Sequence, residues 1–300
     1  SSCVIAFLLG TSLTASAPPQ RLGNVTRIFV ARLRTESGTE LMRQKIVSEL
    51  ANHRTITIVV SPGKADATLA GIVSVEFEYH PGDRLSRNTE PPPRRAYCSG
   101  AAVRLVGRSG LMLWYGEARP GALGAFDSLG HVASEIAGKL FSAIERDKLA
   151  KTSSSVVPGT EGCPLVPNGA TRLKDIRRLF MEPPSKFADA EVIRAKLLGR
   201  LFQSRKFAIV ECASDADATL SAASWVRSVQ TPVESSGDGI DYAFTDYHAS
   251  TTVRLLGASK QPLLEFNLLR INSDKWTASS KAASQAAKEI LTAIQKDRSR

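Results

Sequence analysis

Apolar positions along the chain follow two periods, and the same succession of periods occurs twice. Val25 to Leu33 is an apolar, β-branched run that predicts a strand. Met42, Ile46, Val47 and Leu50 then recur at helical spacing, behind Ser37-Gly-Thr-Glu40, which fits a capping box. Thr55–Val60 predicts a second strand, and a third opens at Ala65-Asp-Ala-Thr-Leu69 and runs on to Phe77. Tyr97–Val106 and Leu111–Ala118, joined by a turn at Gly107-Arg-Ser-Gly110, predict an antiparallel pair. A helical face of Val132, Ile136, Leu140 and Ile144 closes the unit.

The second succession is a copy of the first. Ala-Asp-Ala-Thr-Leu recurs at 216–220, an offset of 151. At that offset Leu22, Arg27, Phe29, Glu40, Arg43, Lys45, Leu50, Arg54, Ile58 and Val59 meet Leu173, Arg178, Phe180, Glu191, Arg194, Lys196, Leu201, Arg205, Ile209 and Val210. One deleted residue changes the offset to 150. Tyr97, Val103, Arg104, Leu105 and Gly107 then meet Tyr247, Val253, Arg254, Leu255 and Gly257, and Asp147 meets Asp297. A period this long means a duplicated domain, not a solenoid.

The expected fold class is α/β: two tandem copies of a two-layer βαβββα domain, each with a mixed sheet and its helices packed on one face. A crossover helix between the first strands implies a parallel pair, and the short later turns imply antiparallel strands. The expected boundaries are 1–17, 18–150 and 171–300, with 151–170 a Ser/Pro/Gly-rich linker. The long connection His80–Arg95 is basic and Pro-rich, whereas its counterpart Gln230–Asp246 is acidic and Gly-rich. These loops read as two binding loops of opposite charge, as loops that meet across a symmetric assembly, or as solvated connections.

Composition narrows the function classes. The chain has 300 residues and a net charge of +10, and 43% of it is hydrophobic, which suits a globular protein. The charge divides evenly. Residues 18–150 carry 18 basic and 13 acidic side chains, and residues 151–300 carry 21 and 16, so each copy holds +5. No basic tail of the kind that wraps nucleic acid is present, aromatics are only 6%, and nucleic-acid binding is not expected. No apolar run approaches the roughly 20 residues of a transmembrane span. Val4–Gly10 followed by Ala15-Ser-Ala17 reads as the remnant of a secretory signal peptide, so the expected location is exported, periplasmic or outer-membrane-associated. Cys98, Cys163 and Cys212 follow the apolar run at irregular spacing. They read as buried free thiols, with a Cys163–Cys212 bridge as the alternative.

Candidate chemistry is sparse. No nucleophile elbow, Walker loop, dinucleotide fingerprint or HExxH is present, and Gly121-Ala-Leu-Gly124 is too short to cradle a phosphate. The four His form no ligand array, so neither a metal nor a cofactor is expected and no catalytic residue is nominated. Asp66 and Asp217 invite a catalytic reading, but no acid, His or nucleophile accompanies both copies. They are expected to cap backbone N–H groups. Arg104 and Arg254 are expected on the outward face of the sheets.

The unit resembles the α/β domain of several bacterial envelope proteins: the amino-terminal domain of TolB, the curli-secretion lipoprotein and the lipoprotein activator of penicillin-binding proteins. The residues that carry this are the helix Met42–Leu50, the stretch Thr57-Ile-Val-Val60 followed by Ala65-Asp-Ala-Thr-Leu-Ala-Gly71, and the hairpin Gly110-Leu-Met-Leu-Trp114. In the second copy Ala222 replaces Gly71 and Leu264 replaces Trp114. The resemblance implies a non-enzymatic exported envelope protein that acts as a binding or scaffold module through contacts with envelope proteins. The alternatives are a hydrolase or a protein that binds an anionic surface or polymer.

Overall fold

The computed structural model describes residues 20–34, 39–78, 95–119, 128–150, 169–183, 188–232, 243–257, 260–273 and 275–300. Residues 1–17, Ser37, Gly121–Gly124, most of the 80–95 and 230–246 connections, and Cys163 fall outside them.

Each copy forms one five-stranded mixed sheet with two helices. The first comprises β1 (Arg27–Val30), α1 (Thr39–Ala51), β2 (Thr57–Ile58), β3 (Ala67–Glu78), β4 (Arg95–Gly107), β5 (Met112–Ala118) and α2 (Ser128–Leu149). The second comprises β6 (Arg178–Met181), α3 (Ala188–Gln203), β7 (Ala208–Val210), β8 (Ala218–Pro232), β9 (Ala243–Leu256), β10 (Pro262–Asn272) and α4 (Lys275–Arg298). The element order is therefore βαββββα: all five strands read from the pattern are present, and the βαβββα label falls one strand short of them.

Strand order is β2-β1-β3-β4-β5 in the first sheet and β7-β6-β8-β9-β10 in the second. β1 pairs in parallel with β2 and β3, and the later pairs are antiparallel, as the crossover helix requires. The copies match in register: Ile28 lies beside Ala67, and Leu179 beside Ala218.

One core lies between the first sheet and α1 and α2. The predicted helical faces supply it, with Met42, Ile46, Leu50, Val132, Ile136, Leu140 and Ile144 all buried. The second core is larger. Besides Ile193, Leu197, Leu201, Ile290 and Ile294 it takes in Ile72, Ala102, Met112 and Tyr115 from the first sheet. These four side chains point away from their own helices, because β residues alternate between faces. α3 covers them, so the first sheet has helices on both faces and the second on only one. Ala170, at the end of the expected linker, is buried, and its N–H donates to the Asp217 carbonyl at 2.8 Å.

Two sequence expectations change. Cys212 is an exposed free thiol just beyond β7, not a buried one. Arg104 is not on a solvated face, because it lies under the second copy.

Candidate functional site

The charged residues that the two copies share come first, since a repeated catalytic group would be found among them. Asp66 Oδ2 accepts the N–H groups of Thr26 and Arg27, at 3.2 and 2.9 Å, and the Thr26 hydroxyl at 2.9 Å. Its Oδ1 accepts the Arg27 guanidinium at 2.9 Å. Asp217 Oδ2 likewise accepts the N–H groups of Arg177 and Arg178, at 2.8 and 2.7 Å. Each Asp thus satisfies the free N–H groups where the first strand of its sheet begins. Burial pushes the Asp66 carboxyl up, but the hydrogen bonds from Arg27 and Thr26 outweigh it and hold the group at about 2.

Two other shared pairs also tie backbone. Arg43 donates to the Val30 carbonyl at 3.0 Å, and Arg194 donates to the carbonyls of Glu182 and Met181 at 2.8 and 2.9 Å. Asp147 accepts the Gly23 N–H at 2.7 Å, and Asp297 accepts the Lys174 N–H at 3.0 Å. These residues clamp helices to strand ends. They bring no nucleophile, acid and base together, and among the described residues no cluster of His, Cys, Asp or Glu has the makings of a metal site.

What differs between the copies lies elsewhere, at the joint between them. Val192, Ala195 and Gly199 form a stripe on α3 at three- and four-residue spacing, and all are buried. Tyr115 packs so closely on Gly199 that a Cβ there would lie 2.1 Å from its ring. The Tyr115 hydroxyl donates to Glu117 Oε1 at 2.7 Å, and burial together with that carboxylate pushes the phenol well above its usual range. Arg104 Nε meets Glu211 at 2.8 Å, and Arg34 pairs with Glu191. Burial, with the nearby Arg104 charge, pulls the Arg194 guanidinium beside this network down to about 10. The Glu211 N–H also donates to the Gly110 carbonyl at 3.0 Å, joining the β4–β5 hairpin to the edge of the second sheet. Lys196 is fully buried within the joint, with Nζ 3.7 Å from the Trp276 ring centre and 3.1 Å from the Trp276 carbonyl.

Among the described residues no helix covers the equivalent face of the second sheet. Trp225, Leu269 and Ile271 are 45%, 47% and 48% exposed. They lie on adjacent cross-strand rows, Trp225–Ser250–Leu269 and Arg227–His248–Ile271. Arg254 stands on this face as the sequence analysis expects, paired with Glu265 at 2.8 Å. The apolar cluster was missed because a single sequence reads β8 to β10 as ordinary half-exposed strands. The signal that finds it is a comparison of the copies: Leu269 stands where Arg119 does, and Trp225 where Ser74 does.

A second feature is an open groove of about 420 Å³ along α4. Arg119, Arg270, Lys281 and Lys288 line it with Thr277 and Ser284, and no carboxylate does.

No protein-family model matches the chain, and no curated protein matches it. Among solved structures, the chain is similar to a minor lipoprotein from Acinetobacter baumannii at 11% identity, with 41% of this chain and 94% of that one covered and a TM-score of 0.27. It is similar to the PelC dodecamer from Paraburkholderia phytofirmans at 19% identity, with 43% and 92% covered and a TM-score of 0.27. It is also similar to a DUF330 protein from Xanthomonas campestris at 15% identity, with 45% and 94% covered and a TM-score of 0.28.

Proposed function

We propose that this chain is a non-enzymatic, exported envelope protein that works as a binding or scaffold module, presenting the open face of its second sheet to a protein. The observation that carries this reading is the contrast between two equivalent sheet faces. On the first, α3 covers Ile72, Ala102, Met112 and Tyr115; on the second, beginning one row beyond their counterparts, Trp225, Leu269 and Ile271 stand exposed with no helix over them among the described residues. Soluble proteins keep large apolar clusters covered unless something docks on them. Aromatic and aliphatic anchors at the centre of a face are what protein interfaces use. The shared pairs Asp66/Asp217, Arg43/Arg194 and Asp147/Asp297 are taken up in backbone clamps, which favours binding over catalysis. Among the described residues no helix is long and apolar enough to cross a membrane.

The test is a photo-crosslinking side chain at position 225 or 269, introduced into the chain in its own cell envelope. Discrete protein adducts are expected from these sites and none from Lys288 on α4. Adducts equal at all three positions, or absent from the sheet, overturn the reading.

The groove along α4 favours a second reading, an anionic surface or polymer as ligand. Four cations with no carboxylate among the lining side chains concentrate negative charge by long-range attraction. Binding to vesicles rich in anionic lipid should then weaken steeply with salt and fall about tenfold or more in Lys281→Glu with Lys288→Glu. Binding unchanged by salt and by that variant removes this reading.

A further inference from the structure

The chain contains its own template for what covers the open face. In the joint, the first sheet receives α3, and α1 is the counterpart of α3. The outward stripe of α1 is Leu41, Gln44 and Ser48, where α3 carries Val192, Ala195 and Gly199. Leu41 is 48% exposed. Val60, which stands where Glu211 meets the first sheet, is 94% exposed. Among the described residues six large hydrophobics are exposed, and five of them fall on these two surfaces. Leu41 and Val60 lie on the α1 side, and Trp225, Leu269 and Ile271 on the open sheet.

We propose that the open face of the second sheet takes the α1 side of a second copy of this chain, in the arrangement by which its own α3 sits on the first sheet. This deepens the proposed function, since it names the protein that docks there. The chains then stack head to tail. Such an interface leaves a free face at each end, so it continues until it closes into a ring or runs on as a filament.

Three details support the match. The β9–β10 connection shares two features with the docking hairpin, the first being that the Gly257 N–H donates to the Gln261 carbonyl at 2.8 Å, as the Gly107 N–H donates to that of Leu111 at 2.9 Å. Lys260 holds φ at 60°, where Gly110 holds 74°. A left-handed lysine is uncommon, so the shared angle is a specific feature of the turn. The hairpin therefore offers the Lys260 carbonyl where the Gly110 carbonyl receives the Glu211 N–H, and the next copy brings the Val60 N–H to it.

Second, a change on one side of the joint is matched on the other. Tyr115 needs Gly199 beneath it. Its counterpart Glu265 turns onto Arg254, which leaves room for Ser48, the counterpart of Gly199, to carry a Cβ. Third, Arg254 is neutralised within its own sheet by Glu265. It can therefore face the apolar Val60 where Arg104 requires Glu211.

The free surfaces are more polar than the joint, with Gln44 and Ser48 for Ala195 and Gly199. That is the expected difference between a contact formed among separately folded chains and one buried at folding. The association is accordingly reversible and concentration-dependent.

Sedimentation of the full chain over a wide concentration range tests this. The average mass should rise from that of one 32.3 kDa chain to two and more. Trp225→Glu with Leu269→Glu blocks one surface and Leu41→Glu blocks the other. Both substitute exposed positions, and unchanged circular dichroism and melting temperature will show that they fold. Each variant alone should stay at one chain. An equimolar mixture should form a species of two chains and stop there, because one good surface of each kind remains. In the other direction, Val60→Glu, Ser48→Gly and Glu265→Tyr rebuild the joint's own pairs between chains and should tighten association at least tenfold.

A single chain at every concentration overturns the proposal. So does assembly that Leu41→Glu leaves intact, which would mean a symmetric sheet-to-sheet dimer. A mixture that restores nothing overturns it too. Failure here with protein adducts still formed at Trp225 would leave the docking face standing with a different occupant, whereas loss of those adducts would remove both.

Discussion

At the scale of single residues, the repeated identities are structural clamps. Asp66 is the best defined, because it gathers three backbone or hydroxyl donors and a guanidinium. Asp66→Asn keeps the shape but loses the charge that makes those bonds strong. It should lower stability by about 1–2 kcal/mol, allowing for solvent screening of the half-exposed Arg27. The pH dependence has a definite direction. The folded carboxyl titrates at about 2, below its ordinary 3.8, so its contribution is complete above about pH 5 and is lost as pH falls toward 2. Thermal melts between pH 5 and 2 should show a shallower decline for Asp66→Asn than for the parent chain. The structural role of this Asp was legible in the sequence, because it repeats without any catalytic companion. Its partners were not, because Thr26 and Arg27 lie about 40 residues upstream, and only the parallel β1–β3 pairing brings them close.

At the scale of elements, strands and helices were legible wherever their period was clear, and the duplication doubled the evidence for each. The strand ends were less so: the apolar run Val25 to Leu33 reads as one strand, whereas β1 spans only Arg27–Val30. The larger gap concerns α3. Its inward face reads like that of α1, but its outward stripe carries Ala195 and Gly199 where α1 carries Gln44 and Ser48. A helix without a polar face is buried all round. Size exchanges between the copies tell the same story. In the first sheet Trp114 fills the space above Gly116, where a Cβ would lie 2.4 Å from the ring. In the second, Leu264 and Phe266 divide that volume the other way, so the loss of Trp114 is a compensated swap. Gly199 has no such freedom. Gly199→Leu should drive Tyr115 out of the joint and lower the melting temperature by several degrees, consistent with the ~1–3 kcal/mol of an overpacked core. Tyr115→Ala in the same chain should recover part of that loss. Equal and additive losses in the double-mutant comparison would mean that the two do not share one site.

At the scale of the whole molecule, the open question is whether the two copies behave as one folding unit. The second core draws Ile72, Ala102, Met112 and Tyr115 from the first sheet and buries Lys196 against Trp276 between them. Shared apolar burial of this kind couples the stabilities of two domains, whereas a linker alone would leave them independent. A single calorimetric transition is therefore expected for the parent chain, with the van't Hoff and calorimetric enthalpies equal. Arg104→Ala leaves Glu211 without its guanidinium at the rim of the joint and should only lower the midpoint. Lys196→Ala removes both the ring contact and the carbonyl bond from the centre, where the stem of the lysine also fills volume. It should weaken the joint by about 2–4 kcal/mol and split the transition in two, the earlier step belonging to the second copy. The second copy goes first because its core draws four residues from the first sheet, while the core between the first sheet and α1 and α2 is built from the first copy alone. A single transition that moves without splitting in Lys196→Ala would show that the copies depend on each other throughout, and that what fuses them is the apolar stripe of α3 and not the lysine at its centre.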